Sequence, residues 1–284
     1  MNYNEVLDPN EYRLYIRSKY GLLNSAANVC RDLLLNKRDF MNIKSYVDSR
    51  LSEESQNEFN IGCFPDDQKL NILLNKIPYE EFVQKLNKRD QFIFEKNNYD
   101  GSVHRKEYTS TLKNHNVLIP YNNLYGNTIA FIGRTILSDE KRKSLEIQKY
   151  KFTRFNKSLH LFGLNKALQY IKKSKSVIIV EGQLDCITCH DHGICNTVGL
   201  GGITLSKNQY AILRRYADTI YLLLDNDDKG QTAQDKIISK YANEKVRIIK
   251  LFLPSGCKDI DQYLRTYGIP DWESLINLLK ERHD

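Results

Sequence analysis

The chain lacks the features that would take it out of an aqueous, reducing compartment. It opens Met1-Asn2-Tyr3-Asn4-Glu5, without the basic start and apolar run of a secretory signal, and nowhere does it carry an apolar stretch long enough to span a bilayer. Both absences predict a cytoplasmic protein with no membrane partner. The six cysteines, Cys30, Cys63, Cys186, Cys189, Cys195 and Cys257, are scattered and are expected to stay as thiols. Cys186, Cys189 and His190 spell C-x-x-C-H, the haem-attachment pattern, but that chemistry needs an exported chain and a free segment. These residues instead fall on a helix expected after the apolar run Val177 to Val180. A zinc site would need a second cysteine or histidine pair at similar spacing, which neither Cys195 nor Cys257 supplies, so no zinc is expected. Internal repeats and low-complexity tracts are also missing, and no proline interrupts residues 11 to 58.

What is present is enough for a folded protein of about two domains: 284 residues, 41% of them hydrophobic. The net charge of +7 fits an acidic partner and equally fits an ordinary soluble surface. From about Glu11 to Glu58 the apolar residues recur at helical spacing, as in Leu14, Tyr15 and Ser18, then Val29, Leu33 and Leu34. Between about Phe59 and Leu137 shorter runs, Val117 to Pro120 and Thr128 to Ile132, predict antiparallel strands around the turn Tyr125-Gly126-Asn127. A basic stretch follows, with Lys141, Arg142, Lys143, Lys149, Lys151, Arg154 and Lys157. It reads either as a solvated loop or as a nucleic-acid contact. Tyr150, Phe152 and Phe155 among the cations favour contact, because rings stack on bases while Lys and Arg neutralise phosphates.

From Ser176 onward apolar strands alternate with amphipathic helices, which predicts an α/β domain with a mainly parallel sheet covered on both faces. The acids sit at the ends of these strands. Glu181 follows Val177 to Val180, and Asp185 lies one turn into the next helix; Asp225 and Asp227 follow Ile220 to Leu224; Asp259 and Asp261 come after Ile248 to Leu253. In an open parallel sheet all strand carboxyl ends face one edge, where ligands bind. Carboxylates gathered there repel one another unless a cation sits among them, and hard oxygen ligands suit Mg2+ or Mn2+. Asp225-Asn226-Asp227-Asp228-Lys229-Gly230 is not a calcium EF-hand loop, because Lys229 and Lys236 would fall on ligand positions. Gly199-Leu200-Gly201-Gly202 lacks the spacing of a dinucleotide fingerprint and reads as a tight turn.

Glu181-Gly182-Gln183-Leu184-Asp185 followed by Asp225-x-Asp227-x-x-Gly230 resembles the Toprim signature of DnaG-type primases, type IA and type II topoisomerases and some nucleases. Outside that domain the resemblance narrows to DnaG-type primases. It rests on Tyr46 to Glu54 with Phe59 to Pro65, on Val117 to Pro120 with Gly126 and Ala130 to Arg134, and on Lys149-Tyr150 with Phe155 to Lys157 and Leu161 to Gly163. After the Toprim motifs, Leu253-Pro254-x-Gly256-x-x-Asp259-x-Asp261 and Tyr263-Leu264-x-x-Tyr267-Gly268 also fit. The likeness covers residues 28 to 280. It departs from the family in a shorter segment from Lys149 to Phe155, in Asn114-His115-Asn116 where an arginine-rich element is usual, and in the Gly201-Gly202 loop.

The resemblance implies a helical and mixed-β primase subdomain over residues 1–160, followed by a Rossmann-like Toprim domain over residues 161–284. It implies synthesis of RNA primers on single-stranded DNA from ribonucleoside triphosphates, in a bacterial or phage-infected cytoplasm. Asp225, Asp227, Asp259 and Asp261 would hold Mg2+ or Mn2+, Glu181 would act as ligand or base, and Asp185 would support it. Arg134, Lys149, Lys157 and Lys229 would bind template or nucleotide phosphates. The family's zinc-binding and helicase-binding domains are not recognisable in the sequence, so a replicative helicase and a separate zinc-binding template-recognition protein are the expected partners. A Toprim nuclease and a non-catalytic replisome module are the rival readings. The primase-like segments before the Toprim motifs weigh against the first, and the complete set of acids weighs against the second.

Overall fold

A computed structural model describes residues 8–36, 38–77, 86, 88, 90–99, 104–268 and 272–280. Met1 to Glu5, on which the missing secretory signal was read, lie outside the described residues. Among those described, no helix is long and apolar enough to cross a membrane. The chain forms two compact units. The first comprises Met1–Arg50, Gln56–Tyr121 and Asn127–Phe155, and the second Leu51–Ser55, Asn122–Gly126 and Asn156–Asp284.

In the order of the chain the first elements are helices α1 (Pro9–Asn36), α2 (Met41–Asp48) and α3 (Glu53–Glu58), strand β1 (Gly62–Cys63) and helix α4 (Leu70–Leu74). Strands β2 (Ile93–Tyr99), β3 (His104–Ser110), β4 (Val117–Asn122) and β5 (Thr128–Arg134), helix α5 (Asp139–Ser144) and strand β6 (Tyr150–Phe152) follow. Helix α1 buries Leu22, Leu23, Ala26, Ala27, Cys30, Leu33 and Leu34, the three-and-four spacing of one helical face. From that face Leu22, Leu23, Ala26, Ala27 and Cys30 meet Phe64, Leu70, Phe92, Leu118 and Phe131 in one core. Gly62 is required where α1 passes β1, because a Cβ there would lie 2.7 Å from the Cys30 carbonyl carbon. The sheet runs β1-β4-β5-β6, with β1 antiparallel to β4 and β5 antiparallel to β6, while β2 and β3 form a separate antiparallel pair. Pro120 lies beyond the two residues of β4 that β1 pairs, where a missing N–H costs the ladder less.

The second unit contains α6 (Leu164–Ser174), β7 (Ser176–Val180), α7 (Gln183–Asp191), β8 (Thr197–Gly199), α8 (Lys207–Leu213) and β9 (Thr219–Leu223). It ends with α9 (Asp228–Tyr241), β10 (Arg247–Lys250), α10 (Ile260–Tyr267) and α11 (Trp272–Lys280). The strands form a parallel sheet in the order β10-β9-β7-β8. Every residue of β7 is buried, as expected of a continuous apolar run in the middle of a parallel sheet. Val177, Ile179, Val198, Ile220 and Leu222 pack with Ala167 and Ile171 of α6, Leu213 of α8 and Ile237 of α9. The chain leaves β7 for β8 on one side and returns to β9 on the other, so the order of strands reverses between β7 and β9. Ligands of open α/β sheets bind in the crevice beyond such a reversal.

Candidate active site

Glu181 is the first residue after β7, and Asp225 and Asp227 follow β9, so these three acids flank the reversal point. The motif spacing has a local cause at each strand end. Gly182 caps α7, and its N–H donates to Asp185 Oδ2 at 2.8 Å; a Cβ on Gly182 would lie 2.5 Å from that oxygen. Asp227 caps α9 by accepting from the Gly230 N–H at 2.8 Å, and a Cβ on Gly230 would come within 2.1 Å of the Asp225 carbonyl oxygen. Asp259 caps α10 by accepting from the Gln262 N–H at 2.8 Å. Each cap takes up one carboxylate oxygen and stabilises its helix start by about 1 kcal/mol.

Asn226 sets the position of the third strand end. Its N–H donates to the Lys258 carbonyl at 2.7 Å, and its side-chain amide donates to the Cys257 carbonyl at 3.0 Å. The loop before Asp259 is thereby tied to the loop between Asp225 and Asp227. Asp261 is placed differently from the other acids. It is buried, Oδ1 accepts from Thr188 Oγ1 at 2.7 Å, and Oδ2 pairs with Arg265 at 3.0 Å, so both its oxygens are engaged.

The remaining acids perturb one another. The Glu181 carboxyl is pushed up to about 7, first by burial and then by Asp225 and Asp227, with Lys258 pulling the other way. Asp185 is also pushed up to about 7, by burial and then by Asp259, Asp225 and Asp261, against the Gly182 N–H. Among the described residues, no group of three or more Asp, Glu, His or Cys side chains is arranged so that it could hold a metal ion by itself. Two or three mutually repelling carboxylates at the strand ends still suit Mg2+, which keeps several waters and is usually held by one or two carboxylates plus substrate phosphates.

Lys157 is held beside this rim. Its ammonium donates to the Gly201 carbonyl at 3.2 Å, and the Gly201 N–H donates to the Glu181 carbonyl at 2.9 Å. The backbone around Lys157 is fixed by Gln209, whose amide donates to the carbonyls of Lys157 and His160. Lys229 is exposed on the first turn of α9, two residues beyond Asp227. Gln183 is buried with its side-chain N–H group unpartnered among the described residues, and a Cβ on Gly201 would lie 2.8 Å from it.

Arg134 and Lys149 belong to the first unit. Lys149 is exposed, whereas Arg134 is buried between two rings. Its guanidinium donates to the hydroxyls of Tyr46 and Tyr150 and lies 5.5 and 5.1 Å from their centroids. All three rings read as base-stacking platforms are engaged within the fold, since Phe155 packs on Tyr121 at 4.5 Å and on Phe152 at 6.4 Å between centroids. The C-x-x-C-H residues are core: Cys186 and Cys189 are buried on α7, and His190 bonds the Thr197 carbonyl at 2.9 Å.

Residues 31–168 match the DNA primase catalytic core, N-terminal domain, and residues 178–264 match the Toprim-like family. The chain belongs to the DnaG-type primase family. A DNA primase from Clostridium acetobutylicum is 31% identical over 93% of the chain, and one from Lactococcus lactis is 30% identical over 90%. The chain spans 42% and 38% of the lengths of those two relatives. The crystal structure of the Aquifex aeolicus primase, comprising zinc-binding and RNA polymerase domains, superposes with a TM-score of 0.73 at 27% identity. That match covers 93% of this chain and 61% of the Aquifex chain. Toprim primases are metal-dependent, in keeping with the acidic rim.

Proposed function

We propose that this chain synthesises short RNA primers on a single-stranded DNA template, joining ribonucleoside triphosphates by nucleotidyl transfer. The observation that carries this reading is Glu181 at the sheet's reversal point, its carboxyl pushed up to about 7 by burial and then by Asp225 and Asp227. A group so poised takes a proton from a primer 3'-hydroxyl, or ligates a cation, more readily than an isolated carboxylate. A divalent ion bound at the rim, Mg2+ or Mn2+, would stabilise charge on the attacking and leaving oxygens.

Glu181, Asp225 and Asp227 are assigned to hold that ion. Asp185 and Asp259, each with one oxygen in a helix cap, are assigned to add negative field at the same rim. Asp261, which the sequence alone groups with the metal ligands, is assigned here to hold α10 against α7 through Thr188. Lys157 and Lys229 are assigned to the triphosphate, and Lys149 to the template backbone. Arg134 is assigned to present its remaining donors to phosphate from a fixed position between Tyr46 and Tyr150. The Aquifex protein carries a zinc-binding domain beside its RNA polymerase domain, and a zinc-binding template-recognition protein and a replicative helicase are the partners proposed here. Catalysis would take place in the cytoplasm, on the replicating DNA.

The test is primer synthesis from labelled ribonucleotides on single-stranded DNA with Mg2+. The intact chain should make new RNA, and Asp225→Asn should make at least about a hundredfold less. Shortening of the DNA instead would favour a nuclease, and full activity in Asp225→Asn would end the assignment.

A further inference from the structure

A concavity opens on the flank of the parallel-sheet unit, between α9 and the loop that joins β8 to α8. It encloses about 420 Å³, within the range of small-molecule sites and too small for a folded partner. One side is aliphatic. Ile203, which is 44% exposed, faces it together with Leu205, Ala233 and Ile237. The other side carries Lys229, Lys236 and Lys240 against a single acid, Asp228. The lysines are spaced by seven and then four residues, so they line one face of α9 over about 16 Å. Among the described residues, Lys229 and Lys236 have no carboxylate partner.

The walls are fixed before any ligand arrives. The Leu205 carbonyl accepts from Lys240 Nζ at 2.9 Å and from the Tyr241 hydroxyl at 3.1 Å, which pins the end of the loop to the end of α9. The other end is pinned at the rim by the Gly201 N–H on Glu181. A slot with an aliphatic wall and a row of ammonium groups complements a ligand with one flat apolar part and one strongly anionic part. No aromatic ring lines it, so it lacks the stacking platform by which single-stranded nucleic acid is usually held.

We infer that this cleft binds a nucleoside polyphosphate, with the base against Ile203 and Leu205 and the phosphates on Lys236 and Lys240, without need of the metal at the carboxylate rim, which the cleft meets only at Lys229. The inference goes beyond the polymerase reading and does not rest on it.

The experiment is fluorescence anisotropy of N-methylanthraniloyl-ATP with the full chain in EDTA. Binding should be retained in Asp225→Asn. It should weaken by about tenfold or more in Lys236→Glu, the effect of losing a charge-assisted contact, and stay within about twofold in Lys236→Arg. Ile203→Asp, on an exposed loop position, should also weaken it. Absence of binding in EDTA, or unchanged binding in Lys236→Glu, overturns the site, whatever Asp225→Asn does to primer synthesis. Tripolyphosphate competing as well as ATP overturns the role of the aliphatic wall. A poly-glutamate peptide competing better than ATP overturns the proposal in favour of an acidic protein partner.

Discussion

Arg134 and Glu181 are both charged groups at the end of a strand, one in each unit, and the fold treats them in opposite ways. Arg134 loses solvent but gains two tyrosine hydroxyls and two ring faces. Burial alone would lower its pKa, yet Tyr150 and Tyr46 leave it raised. Glu181 loses solvent and gains two more carboxylates, with Lys258 as the opposing charge. The first charge is accommodated by its own neighbours. The second has its charge balanced only when a proton or a cation is added, which is the property expected of a metal-dependent centre and not of a structural ion pair.

The sharpest way to break that contrast is to neutralise the acids. Asp225→Asn or Glu181→Gln should lower primer synthesis on the order of 10²–10⁴-fold, with an unchanged far-ultraviolet circular dichroism spectrum. The next largest effect is expected at Gly230. Its alanine variant places a methyl group 2.1 Å from the Asp225 carbonyl oxygen, so it should destabilise the fold by about 1–3 kcal/mol in urea titrations and reduce activity with it. In the other unit, Tyr150→Phe removes a hydroxyl from a buried guanidinium and should cost about 1–3 kcal/mol while leaving metal binding unchanged.

A smaller effect follows from pH. The fold keeps protons on Glu181 and Asp185 up to about 7, whereas the unfolded chain releases them near the ordinary values of 4.5 and 3.8. The folded chain therefore binds more protons within that window, and stability falls as pH rises through it; the cost is absent below the window and complete above about 7. In thermal melts without metal, Glu181→Gln should show a shallower fall than the intact chain. Mg2+ should raise the melting temperature more above about pH 7 than near pH 5, because it replaces the lost protons.

The parallel-sheet unit is the more legible of the two from sequence, because its signals are local. Val177 to Val180 reads as a buried strand from its apolar run, and Ser206 with Gln209 is a capping box written in consecutive residues. Sequence periodicity alone would start the helix that ends at Tyr241 near Thr232, yet it begins at Asp228, because the Asp227 side chain caps it; polar residues in the first turn carry no apolar periodicity. What decides the rim is less local. Asn226 reads as a turn residue, yet its role is to hold the Cys257 and Lys258 carbonyls, thirty residues on. Asp261 has the same spacing signature as the other acids, and only the packing of α10 on α7 shows its oxygens committed to Thr188 and Arg265. Tyr46 has no sequence signal linking it to Arg134, since that pairing spans 88 residues.

The most direct test of the unfinished rim is calorimetry of Mn2+ binding near pH 6.5 in buffers of different ionisation enthalpy. Binding should release a proton from the Glu181 and Asp185 pair, seen as a buffer-dependent heat, and both the binding and the proton release should be lost in Asp225→Asn. Mn2+ that binds Asp225→Asn as tightly as the intact chain, or binds the intact chain with no proton released, would contradict it.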